Sequence, residues 1–202
     1  MKKLATGYYN SVYDLGNGCV LKKKNTLIER FKKIYSEEHS VIKTIRVMKK
    51  IPKEHLSLLE KEIQQGSFAG DLSILANPVF ENGGYIQDKV ITIRDYFAMH
   101  DLGENKKIID KYVESIYQCW KYHIHEEVFN FTVNNGVDSN GNVVLIDFNE
   151  TSRDKNAVKK CIASKRWLKS MSYLTLNPEL KDYYAQAMEQ GITEKRLKEY
   201  WL

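Results

Sequence analysis

Apolar residues recur along this chain in two rhythms, and the rhythm switches between them several times. The opening runs, Leu4 to Tyr8 and Ser11 to Leu15, are short, aromatic and β-branched. A Gly-Asn-Gly turn at 16–18 then leads into a third run, "CVLK", so the start reads as a glycine hairpin of strands. Next, "NTLIERFKKIY" puts Leu27, Ile28, Phe31, Ile34 and Tyr35 on one helical face. "SEEHSVIKTIRVMKK" repeats the period with Val41, Ile42, Ile45 and Met48, and Ser36 is placed to cap it. Pro52 ends that helix or begins the next, "PKEHLSLLEKEIQQG", which stops at Gly66.

"LANPVFENGGYIQDKVITI" returns to the strand rhythm as a hairpin around "NGG". "NKKIIDKYVESIYQCWKYH" is the clearest helix, with Ile108, Ile109, Tyr112, Val113, Ile116, Tyr117 and Trp120 in one stripe. A polar hairpin, "TVNNGVDSNGNVVLIDF", follows, and the chain from about Asp154 onward reads as helical, with starts at Asn177-Pro178 and at Thr193. Glycine hairpin, helices, hairpin, long helix, polar hairpin, helices: the order predicts an α+β fold with two clusters of strands.

Composition narrows this only a little. The 202 residues suffice for one domain, or one domain in two lobes. At 43% apolar and 28% charged the chain reads as globular and soluble, and no apolar run approaches the roughly 18 residues a membrane helix needs. "MKKLATGYYNS" lacks an apolar core, so no signal peptide is expected. Cys19, Cys119 and Cys161 are odd in number and far apart, which fits reduced thiols in a cytoplasmic compartment. The net charge of +5 permits an anionic ligand but does not point to DNA.

The candidate chemistry starts at "GNVVLIDFNETS". Four apolar residues, Val143 to Ile146, end on Asp147. A buried carboxylate is costly unless paired, and at a strand end it is placed to hold a cation. Asn134, Asn135 and Asp138 supply further oxygens just upstream. Such oxygen-only ligation suits magnesium, which takes the rest of its shell from water and phosphates. The alternative is that Asp147 caps the next helix or bonds a backbone amide. At the other end of the chain, Val20 and Lys22 share one strand face, so a lysine stands beside a glycine hairpin where it can reach a polyphosphate. It needs a carboxylate to hold it, and Glu38, opening the segment that carries Val41 and Ile42, is the candidate.

In this order the residues from about Leu4 to Asn149 resemble the protein-kinase-like superfamily, which includes bacterial protein kinases and small-molecule phosphotransferases. The resemblance implies a two-lobed fold: an N-lobe over 1–94 and a minimal helical C-lobe over 95–202. It implies ATP and magnesium as ligands. "GYYNSVY" would lie over the phosphates, with Gly7 and Ser11 against the nucleotide, Lys22 on the phosphates and Glu38 as its partner. "TIRD" would follow the connection between lobes. Asp147 would act as the Asp of D-F-G, Asn135 as the second metal ligand, and "FNFTVNNGV" as the catalytic loop.

The departures from that pattern shape the functional expectation. The family places an Asp five residues before the metal-binding Asn; here that position is Asn130, or Phe129 if Asn134 is the ligand. H-R-D and A-P-E segments are missing, Asn149 stands third in D-F-G, and only about 55 residues follow Asp147. Glu126 or Glu127 would substitute as base if the loop bends. Four functions stay open: an active atypical kinase acting on a protein or small-molecule hydroxyl, a pseudokinase that binds nucleotide or a partner, a transferase moving AMP, or a helical adaptor outside this fold. No DNA or membrane partner is expected, and the location is cytoplasmic, or a host cell's cytosol were the chain a delivered effector.

Other features are expected to be structural. His123 and His125 lack companions for a zinc site. Trp120, Trp167 and Trp201 read as core. Lys43, Arg46, Lys49, Lys50 and Lys53 form a solvated basic face or a surface for an anionic partner or substrate, and "TEKRLKEYW" reads as an amphipathic terminal helix packed on the small C-lobe.

Overall fold

Gly16 and Gly18 both adopt φ of +80°, and Asp14 Oδ1 accepts the Gly16 N–H at 2.8 Å, so the chain reverses tightly there. The reversal joins β2 (Asn10–Asp14) to β3 (Cys19–Lys24), and β1 (Lys2–Thr6) pairs with β2 on the other side. The computed structural model describes residues 1–50, 57–81 and 83–202, and over these the chain is α+β. Pro52, Lys53 and the Asn82 of "NGG" lie outside the described residues.

After β3 come α1 (Leu27–Glu38), α2 (Val41–Lys50) and α3 (Leu58–Gln64); β4 (Val79–Glu81) and β5 (Gly84–Asp88) then complete a five-stranded antiparallel sheet in the order β1-β2-β3-β5-β4. Lys22 stands opposite Val12 on one side and Tyr85 on the other. Val20 and Lys22 are buried on the same face of β3. A side chain at Gly84 would meet the Lys22 carbonyl at 2.1 Å, so only glycine permits this approach of β5 to β3.

A capping box starts α1: the Glu29 N–H donates to Thr26 Oγ1, and Glu29 Oε2 accepts the Thr26 N–H at 2.9 Å. The helix ends where His39 turns left-handed at φ 48°. Two expectations are corrected here. Glu38 closes α1 instead of opening the next helix, and Ser36 lies within α1, its hydroxyl donating to the Lys33 carbonyl at 2.6 Å. The helical period runs unbroken through these residues, and the break falls at a histidine that no glycine announces.

The remaining elements are β6 (Ile91–Thr92), α4 (Ile93–Met99), α5 (Leu102–Lys121), β7 (His125–Glu126), α6 (Phe131–Asn134), β8 (Asn135–Val137), β9 (Val143–Leu145), β10 (Thr151–Ser152), α7 (Lys155–Ala163), α8 (Met171–Thr175), α9 (Pro178–Gly191) and α10 (Glu194–Tyr200). β6, β8 and β9 form one small antiparallel sheet; β7 and β10 form another. α5 is the spine. Its expected stripe is buried at Ile108, Ile109, Tyr112, Val113, Ile116 and Trp120, and each such side chain contributes about 1.5–3 kcal/mol. Tyr117 stacks on Tyr200 of α10 at 4.6 Å. Asn177 caps α9 ahead of Pro178, and Thr193 caps α10. Trp120, Trp167 and Trp201 all lie in the core.

The chain groups into two compact units. One holds the residues before Ser57 together with Pro78–Lys89; the other holds Ser57–Asn77 with Val90–Leu202. The crossing after Lys89 precedes the boundary expected at 94, and Ser57–Asn77 groups with the later residues. No described helix is long and apolar enough to cross a membrane. The three cysteines are free thiols, and burial pushes Cys119 up to about 12.

Candidate functional site

The turn that carries the chain toward Asp147 is fixed by its own acid. Asp138 Oδ1 accepts the Asn140 and Asn142 N–H groups at 2.9 and 2.8 Å, and Gly141 supplies a φ of +76°. Asp138 Oδ2 accepts Asn142 Nδ2 at 3.2 Å as well, so both oxygens of this expected ligand are engaged within the turn. The turn sets the register Asn135↔Leu145, Gly136↔Val144 and Val137↔Val143. Just past this ladder, the Ile146 and Asp147 N–H groups both donate to the Asn134 carbonyl, at 2.8 and 3.1 Å. Asp147 therefore emerges beside the Asn134–Asn135 pair.

Beyond Asp147, Phe148 is fully buried and anchors the turn. The Asn149 backbone and side-chain N–H groups donate to Asp147 Oδ1 at 3.3 and 2.7 Å, so the expected alternative, a bond to a backbone amide, is met at that oxygen. The chain then returns in β10, where Thr151 stands opposite Glu126 of β7.

Glu126 is the hub of this cluster. Its Oε1 accepts the Asn130 N–H at 2.8 Å and Asn134 Nδ2 at 2.9 Å, and its Oε2 accepts Asn135 Nδ2 at 3.3 Å. Burial pushes the carboxyl up to about 7 against the pull of these donors, and the charge of Asp147 adds to the rise. His125, beside it, is buried, and desolvation lowers it to about 4, so it stays neutral. Its ring meets Phe129 edge-on at 5.4 Å. Phe129 holds φ at 53°, unusual for a bulky residue, and is buried between His125 and Trp167. That strained residue turns the chain into α6, where Asn130 sits at the N-cap position with its side chain making no cap hydrogen bond. Glu127 is exposed, and its N–H donates to the Glu150 carbonyl.

The structure thus brings together Asn134, Asn135 and Asp147, with Asn130 attached through Glu126. The hub, Glu126, stands in the sequence only as a substitute base. Its only signal is a glutamate with asparagines four, eight and nine residues downstream, of which four and eight match an ordinary helical face and so point to no shared carboxylate.

In the N-terminal sheet, Gly7, Ser11 and Lys22 are placed as follows. Asn25 clamps the Gly7 turn: its Nδ2 donates to the Gly7 carbonyl at 2.7 Å and its N–H to the Tyr9 carbonyl at 2.8 Å. Ser11 is buried and donates its hydroxyl to Asn25 Oδ1 at 2.6 Å, so that proton serves the clamp. Lys22 is 7% exposed, with Nζ 5.7 Å from the Tyr85 ring centroid. Glu38 forms no ion pair among the described residues. Its neighbour Glu37 instead accepts the Tyr8 hydroxyl and pairs with Lys33 at 2.8 Å. The bond to Glu37 is the main cause that raises Tyr8 to about 12.

Among the described residues no group of three or more His, Cys, Asp or Glu gathers as a metal site. Around Asp147 the available set is one carboxylate and two amides. The Asn134 and Asn135 Nδ2 groups are taken by Glu126, and neither Oδ1 accepts a hydrogen bond among the described residues. Hard oxygens, no nitrogen or sulfur, and few ligands fit magnesium completed by water and phosphate, and do not fit zinc. No protein-family model matches this chain, and no curated protein sequence matches it significantly.

Proposed function

We propose that this chain is a kinase-like phosphotransferase, on a two-lobed fold with a minimal helical C-lobe, that uses magnesium-ATP and passes the γ-phosphate to a protein or small-molecule hydroxyl. The observation that carries the reading is the shared Asn134 carbonyl, which fixes Asp147 next to the asparagine pair with amide oxygens unspent. Asp147 and Asn135 are the residues that would hold magnesium, and the ion would neutralise phosphate charge there. Lys22 is the phosphate-contacting lysine of this reading.

Asn130 takes the position next to the acceptor. Its amide oxygen orients a hydroxyl but takes up no proton near pH 7. Phosphoryl transfer tolerates this, because its transition state is loose and depends mostly on positioning and charge neutralisation. A missing general base costs about 10² to 10⁴-fold in rate and leaves binding intact.

A second reading, a nucleotide-binding pseudokinase, is favoured by one feature: both Glu126 oxygens face N–H donors, so Glu126 is poorly placed to replace the missing base. Radiolabelled ATP incubated with candidate acceptors separates the two, with AMP release scored in parallel. Calorimetry of magnesium-ATP on wild type and Asp147→Ala tests the shared premise. Equal affinities would remove Asp147 from any metal site.

A further inference from the structure

We infer that Glu126 is a positioning residue that sets the faces of the Asn134 and Asn135 amides, so that both present oxygen to a divalent cation held with Asp147. The inference rests on the magnesium-nucleotide reading above and adds what orients its ligands.

An asparagine amide has one donor end and one acceptor end, and only the acceptor end binds a cation. Left in water, the two ends exchange by rotation about the last side-chain bond. Here Glu126 removes that freedom. Oε1 takes Asn134 Nδ2 at 2.9 Å and Oε2 takes Asn135 Nδ2 at 3.3 Å. While ionised, this carboxylate accepts and does not donate, so either amide turned over would set oxygen against oxygen. The Asn130 N–H, donating to Oε1 at 2.8 Å, holds the carboxylate in place. Two adjacent amides are thereby turned the same way, and the Asn134 carbonyl fixes Asp147 beside them.

Sinking a carboxylate into this spot is costly unless its donors hold it. Valine or leucine would serve packing alone at lower cost. Outer groups that orient metal ligands typically account for 10–100-fold in metal affinity.

The test is a swap of polarity. Glu126→Gln keeps the shape but puts an N–H₂ on one side of the hub, where it opposes an asparagine N–H₂ and turns that amide over. Asn135→Asp in the same chain supplies an acceptor to that N–H₂ and leaves an oxygen for the cation. ATP affinity is measured by calorimetry with and without magnesium, and the fold is checked by circular dichroism. The expected result is a 10–100-fold loss of the magnesium-dependent affinity in Glu126→Gln, unchanged metal-free affinity, and recovery to within a few-fold in the double variant.

Loss of magnesium dependence in Asp147→Ala but not in Glu126→Gln overturns the inference and leaves the metal site standing. No effect of Asp147→Ala overturns the underlying reading instead. A loss in Glu126→Gln that the double variant fails to recover reduces Glu126 to a packing role and also overturns the inference. Should Glu126→Gln not fold, side-chain amide resonances of wild-type Asn134 and Asn135 decide. Both must shift when magnesium is added with ATP while staying protected from exchange, and unshifted resonances overturn the proposal.

Discussion

Asp147 and Asn134 are joined main chain to main chain, since the Asn134 carbonyl accepts N–H groups from both Ile146 and Asp147. The position of the acid is therefore set by the register of the β8–β9 hairpin and not by its own side chain. Whatever disturbs that register moves Asp147 away from the asparagines.

Gly136 is the residue on which the register depends. A side chain there would stand 2.3 Å from Val90 Cγ2 and 3.0 Å from the Ile91 carbonyl. The valine can turn, but the β6 backbone is held by its own pairing with β8. Gly136→Ala should destabilise the fold by about 1–3 kcal/mol, the usual cost of overpacking, and weaken magnesium-dependent nucleotide binding. Gly7→Ala is the contrast: its added carbon meets only the Asn10 carbonyl at 3.4 Å, an ordinary contact. Urea titrations of both variants should separate them, and equal midpoints would show that the hairpin yields at Gly136.

Asn25 should matter more than its place after a strand suggests. Its side chain joins the Ser11 hydroxyl to the Gly7 carbonyl, and both Asn25 and Ser11 are buried. Asn25→Ala strands a buried hydroxyl, which costs about 1–3 kcal/mol. Amide exchange in the Gly7–Tyr9 turn should accelerate with it. Unchanged exchange there would mean that the turn is held without the clamp.

Much of this was legible in the chain. The stripe of α5, the glycine turn before β3, the caps at Asn177 and Thr193 and the apolar strand two residues short of Asp147 all follow from local periodicity or turn chemistry. The misread parts depend on partners that no period announces. α1 runs through Glu38 and stops at a left-handed histidine that the unbroken helical period conceals. Asp138 reads as a ligand in sequence, but both its oxygens are engaged in its own turn, by the Asn140 and Asn142 N–H groups and by Asn142 Nδ2. Glu126 collects donors from three separate positions, and only the strained turn at Phe129 brings them to one carboxylate.

Two neighbours, half-buried Glu126 and buried His125, should give opposed pH dependences. Glu126 titrates near 7 in the fold against an ordinary 4.5. Its contribution to stability is full below about 4.5 and is lost as pH rises through about 7. His125 is lowered from 6.5 to about 4, so its contribution is present above about 6.5 and lost as pH falls through about 4. Between these limits the two slopes, each on the order of 1 kcal/mol per pH unit, offset one another. Glu126→Gln should uncover the histidine slope, losing stability from pH 6.5 to 4.5 faster than wild type. His125→Asn should show the reverse. Denaturant titrations at pH 5 and 7 read both, and parallel profiles for all three proteins would sink this account.

Asn130 decides between enzyme and pseudokinase. Its side chain is half-exposed, makes no cap bond, and is free to meet an acceptor hydroxyl, while its backbone N–H is fixed to Glu126. If transfer proceeds by orientation, Asn130→Ala removes one positioning hydrogen bond and should slow turnover on the order of ten-fold. Asn130→Asp should keep or raise turnover, since it restores a carboxylate at the base position. Were Glu126 the base, Glu126→Ala would cost about 10² to 10⁴-fold and Asn130 changes would matter less; the donors already on both Glu126 oxygens argue for the first pattern. The comparison needs single-turnover assays with γ-labelled ATP, scored for transfer and for AMP release. Wild-type protein that binds ATP yet transfers nothing to any acceptor or to itself, with Asn130→Asp gaining transfer, would establish the pseudokinase, because only the proton acceptor would then have been missing.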